Sequence, residues 1–103
     1  MNEVYGWVVQ QSGRYAGEVY PLGRKAVLGS DATCDVVVVD ADPRHVELVL
    51  GPDYAWSVCP LEKAVVKLDR ERVTGASWPI RDGACLELNS AQVIFKCINQ
   101  DWH

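Results

Sequence analysis

Long apolar runs, paired cysteines and an excess of positive charge are all missing from this chain and histidine is scarce, and each shortage removes a class of function. Its 103 residues carry 10 Lys and Arg against 14 Asp and Glu, a net charge of −4, with a pI near 5.0. That balance argues against a nucleic-acid binder, whose affinity comes largely from neutralising phosphates. Lys63, Lys67, Arg70 and Arg72 lie close together, but Glu62, Asp69 and Glu71 interrupt them, so the segment reads as a solvated surface. The longest uninterrupted apolar run is the valines at 36–39, far too short to span a bilayer. Met1-Asn2-Glu3 has no basic leader and Trp7-Val8-Val9 is too short for a signal core, so a cytosolic domain is expected.

The cysteines Cys34, Cys59, Cys85 and Cys97 are spread out with no Cys-x-x-Cys pair, whereas zinc sites bring ligands in close pairs. A cytosolic setting also disfavours disulfides, and Cys85 and Cys97 alternate with apolar neighbours, so buried thiols are expected. No P-loop, dinucleotide-binding glycine fingerprint or zinc-protease motif occurs. His45 and His103 are the only histidines. Pairing His45 with Asp42 or Asp40, or with Ser30 or Ser57 as nucleophile, has no support in the spacing, and a lone histidine at a strand start is usually a structural hydrogen-bonding group. The reading is therefore of a non-enzyme with no metal, cofactor or small-molecule substrate.

What is present is a series of short β-type runs between turn residues. Residues 4–9, 17–22 and 25–28 come first, followed by 35–39, whose apolar character on both faces suits a strand in the sandwich interior. Residues 45–50 end at Gly51-Pro52-Asp53, residues 54–59 alternate, and 84–88 and 91–97 form a hairpin across Asn89-Ser90. Residues 60–68 are ambiguous. Leu61, Val65 and Leu68 have helical spacing behind Pro60, yet Val65-Val66 is β-branched and the surroundings are strand-like. A strand running into a hairpin at Asp69-Arg70-Glu71 is preferred. Trp7, Trp56 and Trp78 read as core or core-edge, and Trp102 as part of a frayed tail. A chain of this length makes one domain, and strands at such intervals imply an antiparallel β-sandwich of about ten short strands.

Two segments carry a resemblance to a known family. Gly29, Cys34-Asp35-Val36 and His45, followed by Ile80-Arg81-Asp82-Gly83-Ala84-Cys85-Leu86, resemble the pattern of forkhead-associated (FHA) domains. That family is an eleven-stranded β-sandwich whose loops at one end bind phosphothreonine. Its pattern carries Gly-Arg, then Ser-x-x-His, then an Asn-Gly pair. Here Ser30 follows Gly29, Asp42 stands three residues before His45, and no Asn-Gly pair occurs between His45 and Arg81. Phosphate recognition needs cationic and hydrogen-bond donor groups. Each lost charge-assisted hydrogen bond removes about 1.5–3 kcal/mol. A carboxylate about 4 Å from a phosphate charge adds roughly 4 kcal/mol of repulsion at a dielectric near 20. A micromolar site totals only about 8 kcal/mol.

By that comparison Ser30 and Asp42 are degenerate phosphopeptide-loop positions. Gly29 and His45 are retained for structure, the first for backbone freedom in the turn and the second as a brace through its ring nitrogens.

One branch is closer still. Trp7-Val8-Val9, Gly29-Ser30-Asp31, His45 before a Leu-Val-Leu strand, and the Gly83 to Glu87 stretch are similar to the N-terminal cytoplasmic domain of the inner-membrane ring protein of bacterial type III secretion systems. The resemblance implies an FHA-like domain over residues 1–98 and a polar tail at 99–103 leading toward a membrane segment outside this chain. It implies a place on the cytoplasmic side of the bacterial inner membrane. The implied partners are sorting-platform proteins, docked without phosphate, and neighbouring ring subunits, with the isolated domain monomeric. Asp31, Arg44, Glu62, Lys63, Asp69 and Arg70 are the candidate partner-binding residues. The alternative is a phosphothreonine-binding module in which Arg44, Arg70 or Arg72 replaces the missing arginine.

Overall fold

The computed structural model describes residues 3–97. The tail at 99–103 and Trp102 lie outside the described residues. Among the described residues eleven strands form two sheets. The first six strands in chain order are β1 (Gly6–Gln10), β2 (Val19–Leu22), β3 (Lys25–Gly29), β4 (Val36–Val37), β5 (Val46–Leu50) and β6 (Trp56–Pro60). The remainder are β7 (Val66–Leu68), β8 (Glu71–Arg72), β9 (Trp78–Ile80), β10 (Cys85–Leu88) and β11 (Ala91–Cys97). One sheet has the order β2-β1-β11-β10-β7-β8 and the other β4-β3-β5-β6-β9. Among the described residues no helix is long and apolar enough to cross a membrane.

Strand formation follows from period-two patterning, since alternate side chains point to opposite faces. β1 and β5 bury every second residue, and β7 buries Val66 and Leu68 while leaving Lys67 exposed. Val8, Leu28, Leu48, Val58, Leu86, Val93 and Phe95 are all fully buried between the sheets. Burying each contributes about 1.5–3 kcal/mol. Trp56 meets Phe95 edge-on, ring centroids 5.3 Å apart, and Trp78 is half-buried against the same core.

Three expectations need correction. Residues 35–39 are not an interior strand. β4 is two residues long, lies at the edge of its sheet and pairs with β3 in parallel, unlike every other strand pairing described. Val36 and Val38 face the core, while Val39 is 58% exposed. Val36 and Val38 are apolar because the chain turns there and offers its alternate residues to the core, while Val39 is left facing solvent. Residues 60–68 resolve into three pieces: Pro60 closes β6, Leu61 to Ala64 form a turn, and β7 begins at Val66. Cys85 and Cys97 are half-buried rather than buried. Pro79 sits in β9, an edge strand where an amide donor is dispensable.

Candidate functional site

Strand register decides which loops share an end of the sandwich. In β10, Leu88 pairs with Val66 and Leu86 with Leu68, so the β10–β11 turn and the β6–β7 turn lie at one end. The Asp69-Arg70 turn lies at the other. The first end also holds the β3–β4 loop at 30–35, the β4–β5 loop at 38–45 and the β1–β2 turn at 11–18. Ser30, Asp31, Asp42, Arg44, Glu62 and Lys63 are thereby gathered at one end, and Asp69 and Arg70 are excluded from it. Arg72 lies on the edge strand, cross-strand from Lys67. Of the three proposed substitutes for the missing arginine, Arg44 alone belongs to this loop end.

The β3–β4 and β4–β5 loops are sewn together along their backbones. The Ser30 amide donates to the Asp42 carbonyl at 2.9 Å, and the Asp31 amide to the Pro43 carbonyl at 3.1 Å. The Cys34 thiol donates to the same Pro43 carbonyl at 3.1 Å. Gly29 sits where the two loops meet. A Cβ there would lie 2.8 Å from the Pro43 carbonyl carbon and 2.9 Å from the Asp42 oxygen. Gly29 is absent from the glycines with positive φ. The requirement for glycine is thus close backbone approach, not the dihedral freedom expected from the sequence.

His45 joins this seam to the opposite sheet. It is fully buried. The Asp42 amide donates to Nδ1 at 3.0 Å, and Nε2 lies 2.7 Å from the Val65 carbonyl oxygen. A backbone amide only donates, so Nδ1 is the unprotonated nitrogen and Nε2 carries the hydrogen given to Val65. Both nitrogens are committed and neither faces solvent, so His45 is not available as a general base. The contact with Asp42 is to its backbone, not its carboxylate.

That carboxylate is held by a residue the sequence did not nominate. Asn89 adopts φ 60° in the β10–β11 turn. Its side-chain amide donates to the Asp40 carbonyl at 3.1 Å and to Asp42 Oδ1 at 3.0 Å. Asparagine tolerates this left-handed backbone, which was the one available hint. Asp31 caps its own loop, accepting from the Thr33 amide and hydroxyl at 2.8 Å each. Those bonds, the backbone one first, hold its carboxyl below the usual range, and the Arg44 charge acts in the same direction.

Two further turns are two-residue reversals. Glu62 and Lys63 have φ 50° and 63°, and Asp69 and Arg70 have φ 49° and 74°. Paired positive φ values are those of a type I′ hairpin, for which Asn-Gly is the preferred filling. Asp69-Arg70 between β7 and β8 therefore supplies the tight reversal without that pair. At the same end as Asp69, the Arg24 guanidinium lies 4.7 Å from the Tyr5 ring centroid and 5.7 Å from that of Tyr54. These residues are too distant in sequence for any pattern to join them. Among the described residues no group of three or more His, Cys, Asp or Glu side chains is arranged to hold a metal.

Comparison with known proteins rests on structure alone, because no family model matches the chain and no curated protein matches it. An engineered FHA domain with a Myc-pTBD peptide superimposes with a TM-score of 0.82 at 10% identity, over 94% of each chain. The N-terminal FHA domain of S. cerevisiae Rad53p, in complex with a phosphothreonine peptide, gives 0.81 at 11% identity over 92% of this chain and 94% of that one. The FHA domain of the CT664 protein from Chlamydia trachomatis gives 0.79 at 17% identity, over 92% and 99%. Identities this low speak for the fold only. The chain has the FHA fold, an all-β sandwich with eleven short strands among the described residues.

Proposed function

We propose that this chain is a protein-interaction module of the FHA type, docking a partner protein through the loop end that carries Ser30, Asp31, Asp42, Arg44, Glu62 and Lys63. The ligand class best supported is a phosphothreonine-bearing segment. The observation behind it is the likeness, over nearly the whole chain, to an FHA domain solved with a phosphothreonine peptide. Arg44 and Lys63 are exposed cations at this loop end, as is Arg14 of the β1–β2 turn, and they supply the positive charge such a ligand needs. With serine at position 30 and a carboxylate at position 42, the site lacks one charge-assisted bond worth about 1.5–3 kcal/mol. That loss alone lowers affinity roughly 10- to 150-fold below micromolar, and the Asp42 carboxylate, with repulsion of about 4 kcal/mol, lowers it further.

A second reading has its own support in the Asp42–Asn89 bond. Asn89 holds a carboxylate at the loop end where an anion would approach, and this favours docking that does not use phosphate. The finer form of this reading is the ring subunit of a type III secretion system, facing the cytoplasm at the inner membrane and docking sorting-platform proteins. It rests on Trp7-Val8-Val9, Gly29-Ser30-Asp31, His45 and Gly83 to Glu87 alone.

Amide NMR titration with a phosphothreonine peptide pool and its unphosphorylated twin separates the two. The first reading predicts loop-end shifts with the phosphorylated pool only, weakened at least several-fold by Arg44→Ala. Equal shifts with both pools, or none with either, would discard phosphate as the ligand and leave the second reading.

A further inference from the structure

Between the β1–β2 turn and the β4–β5 loop the loop end opens into a hollow of about 220 Å³. Gln10 and Val38, both buried, make its floor, Val39 and Tyr15 its walls, and the exposed Arg14 and Asp40 its rim. Its size is below that of a small-molecule site and suits one large side chain. Both sides are set before anything binds. The Gly17 amide closes the turn by donating to the Gln10 carbonyl at 2.7 Å, and the Gln11 amide pins it to β11 through the Gln92 carbonyl at 2.8 Å. Opposite, the Val38 amide donates to the Gly29 carbonyl at 2.8 Å, and the Asn89 side chain holds the Asp40 carbonyl.

Gln10 is only 4% exposed. Its Nε2 donates to the Val37 carbonyl at 3.0 Å and to the Tyr20 hydroxyl at 3.3 Å, and the carbonyl contact fixes which end of the amide is the oxygen. Among the described residues nothing donates to its Oε1. None of their fully buried side-chain oxygens lacks a partner, so Oε1 keeps an opening, and the hollow above Gln10 provides it. An acceptor at the bottom of an apolar slot selects what enters. A wholly apolar side chain would seal the oxygen away without a partner. A lysine ammonium would leave water for one neutral oxygen, and at the rim the Asp40 charge is offset by Arg14. The complement is an apolar ring ending in a neutral donor.

We infer that this hollow takes a tyrosine side chain of the docked partner, its ring between Val39 and Tyr15 and its hydroxyl donating to Gln10 Oε1. Tyrosine carries its donor at the far end of the ring, in line with the floor, whereas the tryptophan donor sits on the ring's side. The inference rests on the reading that a partner docks at the loop end, and adds to it a residue preference that involves no phosphate. Gln10, Tyr15 and Val39 thereby become specificity-determining residues, none of them in the Ser30–Asp42 seam.

The test is an NMR titration of backbone and side-chain amides with N-acetyl-tyrosinamide, N-acetyl-phenylalaninamide and N-acetyl-lysinamide. Each runs from about 0.1 to about 10 mM, the range in which a fragment of that size binds. The tyrosine probe should shift residues 10, 15, 38, 39 and 40, spare residues 69 and 70, and bind at least about fivefold tighter than the phenylalanine probe. Gln10→Leu should erase that margin. Val39→Lys, at an exposed wall position, should abolish the shifts, and it carries the test where Gln10→Leu does not fold. No shift in the hollow up to the highest concentration overturns the inference. So does equal binding of the phenylalanine probe, or tightest binding of the lysine probe. The probes carry no phosphate and no flanking peptide, so their failure strikes the hollow alone. Failure of loop-end docking shows instead in the phosphothreonine pools and leaves the probe result standing.

Discussion

Gly29 and His45 do different work at the same seam. Gly29 allows two backbones to touch, and any side chain there meets the Pro43 carbonyl group and the Asp42 oxygen. Gly29→Ala is expected to destabilise the chain by about 2–3 kcal/mol, the upper part of the range for overpacking, measured by urea unfolding. A cost under a few tenths of a kcal/mol would show that the loops separate easily. His45 transmits order between sheets, since its two ring nitrogens bond residues 42 and 65. The cysteines play no such part. Burial is the leading cause that pushes the thiols of Cys34, Cys59, Cys85 and Cys97 above their ordinary range. A raised thiol pKa means less thiolate at a given pH, and the deficit closes only as pH climbs past the shifted value. In the folded chain all four should alkylate more slowly at pH 7.5 than free cysteine, and recover ordinary rates in denaturant. One fast-reacting thiol in the folded chain would contradict that account.

At the scale of the strand and turn, legibility followed locality. The alternation in β1, β5 and β6 is a property of consecutive residues, and the Asn89-Ser90 hairpin joins neighbours, so both could be read from the sequence. The valine run at 36–39 misled because apolarity on both faces suits an interior strand as well as a short edge strand entering a turn. The grip of Asn89 on Asp42 spans 47 residues and depends on how two sheets face each other. No local pattern encodes it. The reversal at Asp69-Arg70 shows the opposite case: the turn was expected, but its left-handed backbone was not, because neither residue advertises it. Non-glycine residues pay about 1–2 kcal/mol to adopt that conformation. Replacing the pair with Asn-Gly by Asp69→Asn and Arg70→Gly should therefore stabilise the chain by about 1 kcal/mol after the unfolded-state entropy of glycine is counted. For a domain of this size that is a Tm rise of about 4–8 °C. Asp69 Oδ1 accepts from the Cys85 amide at 2.9 Å, and asparagine keeps an oxygen for that bond. A fall in Tm would mean the Asp69 charge or the Arg70 side chain contributes more than the backbone strain removes.

Across the whole molecule the two ends of the sandwich are chemically distinct. One end joins four loops through His45, Gly29 and Asn89 and exposes Arg44 and Lys63. The other closes with tight turns, the Asp69-Arg70 reversal among them, and with Arg24 packed on Tyr5 and Tyr54. The fold class could be read from the sequence because short strands between turn residues leave few alternatives to a sandwich. The order of strands within each sheet could not, because neighbours such as β1 and β11 meet from opposite ends of the chain. Nor did the sequence separate the candidate partner-binding residues into two ends, which required the β7–β10 register.

Docking through the loop end is the central claim, and site-specific photo-crosslinking tests it most directly. A photoreactive residue would be installed at Arg44 in one variant and at Arg70 in another, each expressed in the organism that makes the chain. The account predicts a discrete protein adduct from position 44 and none from position 70. Adducts from position 70 alone would move the docking surface to the opposite end of the sandwich and contradict it.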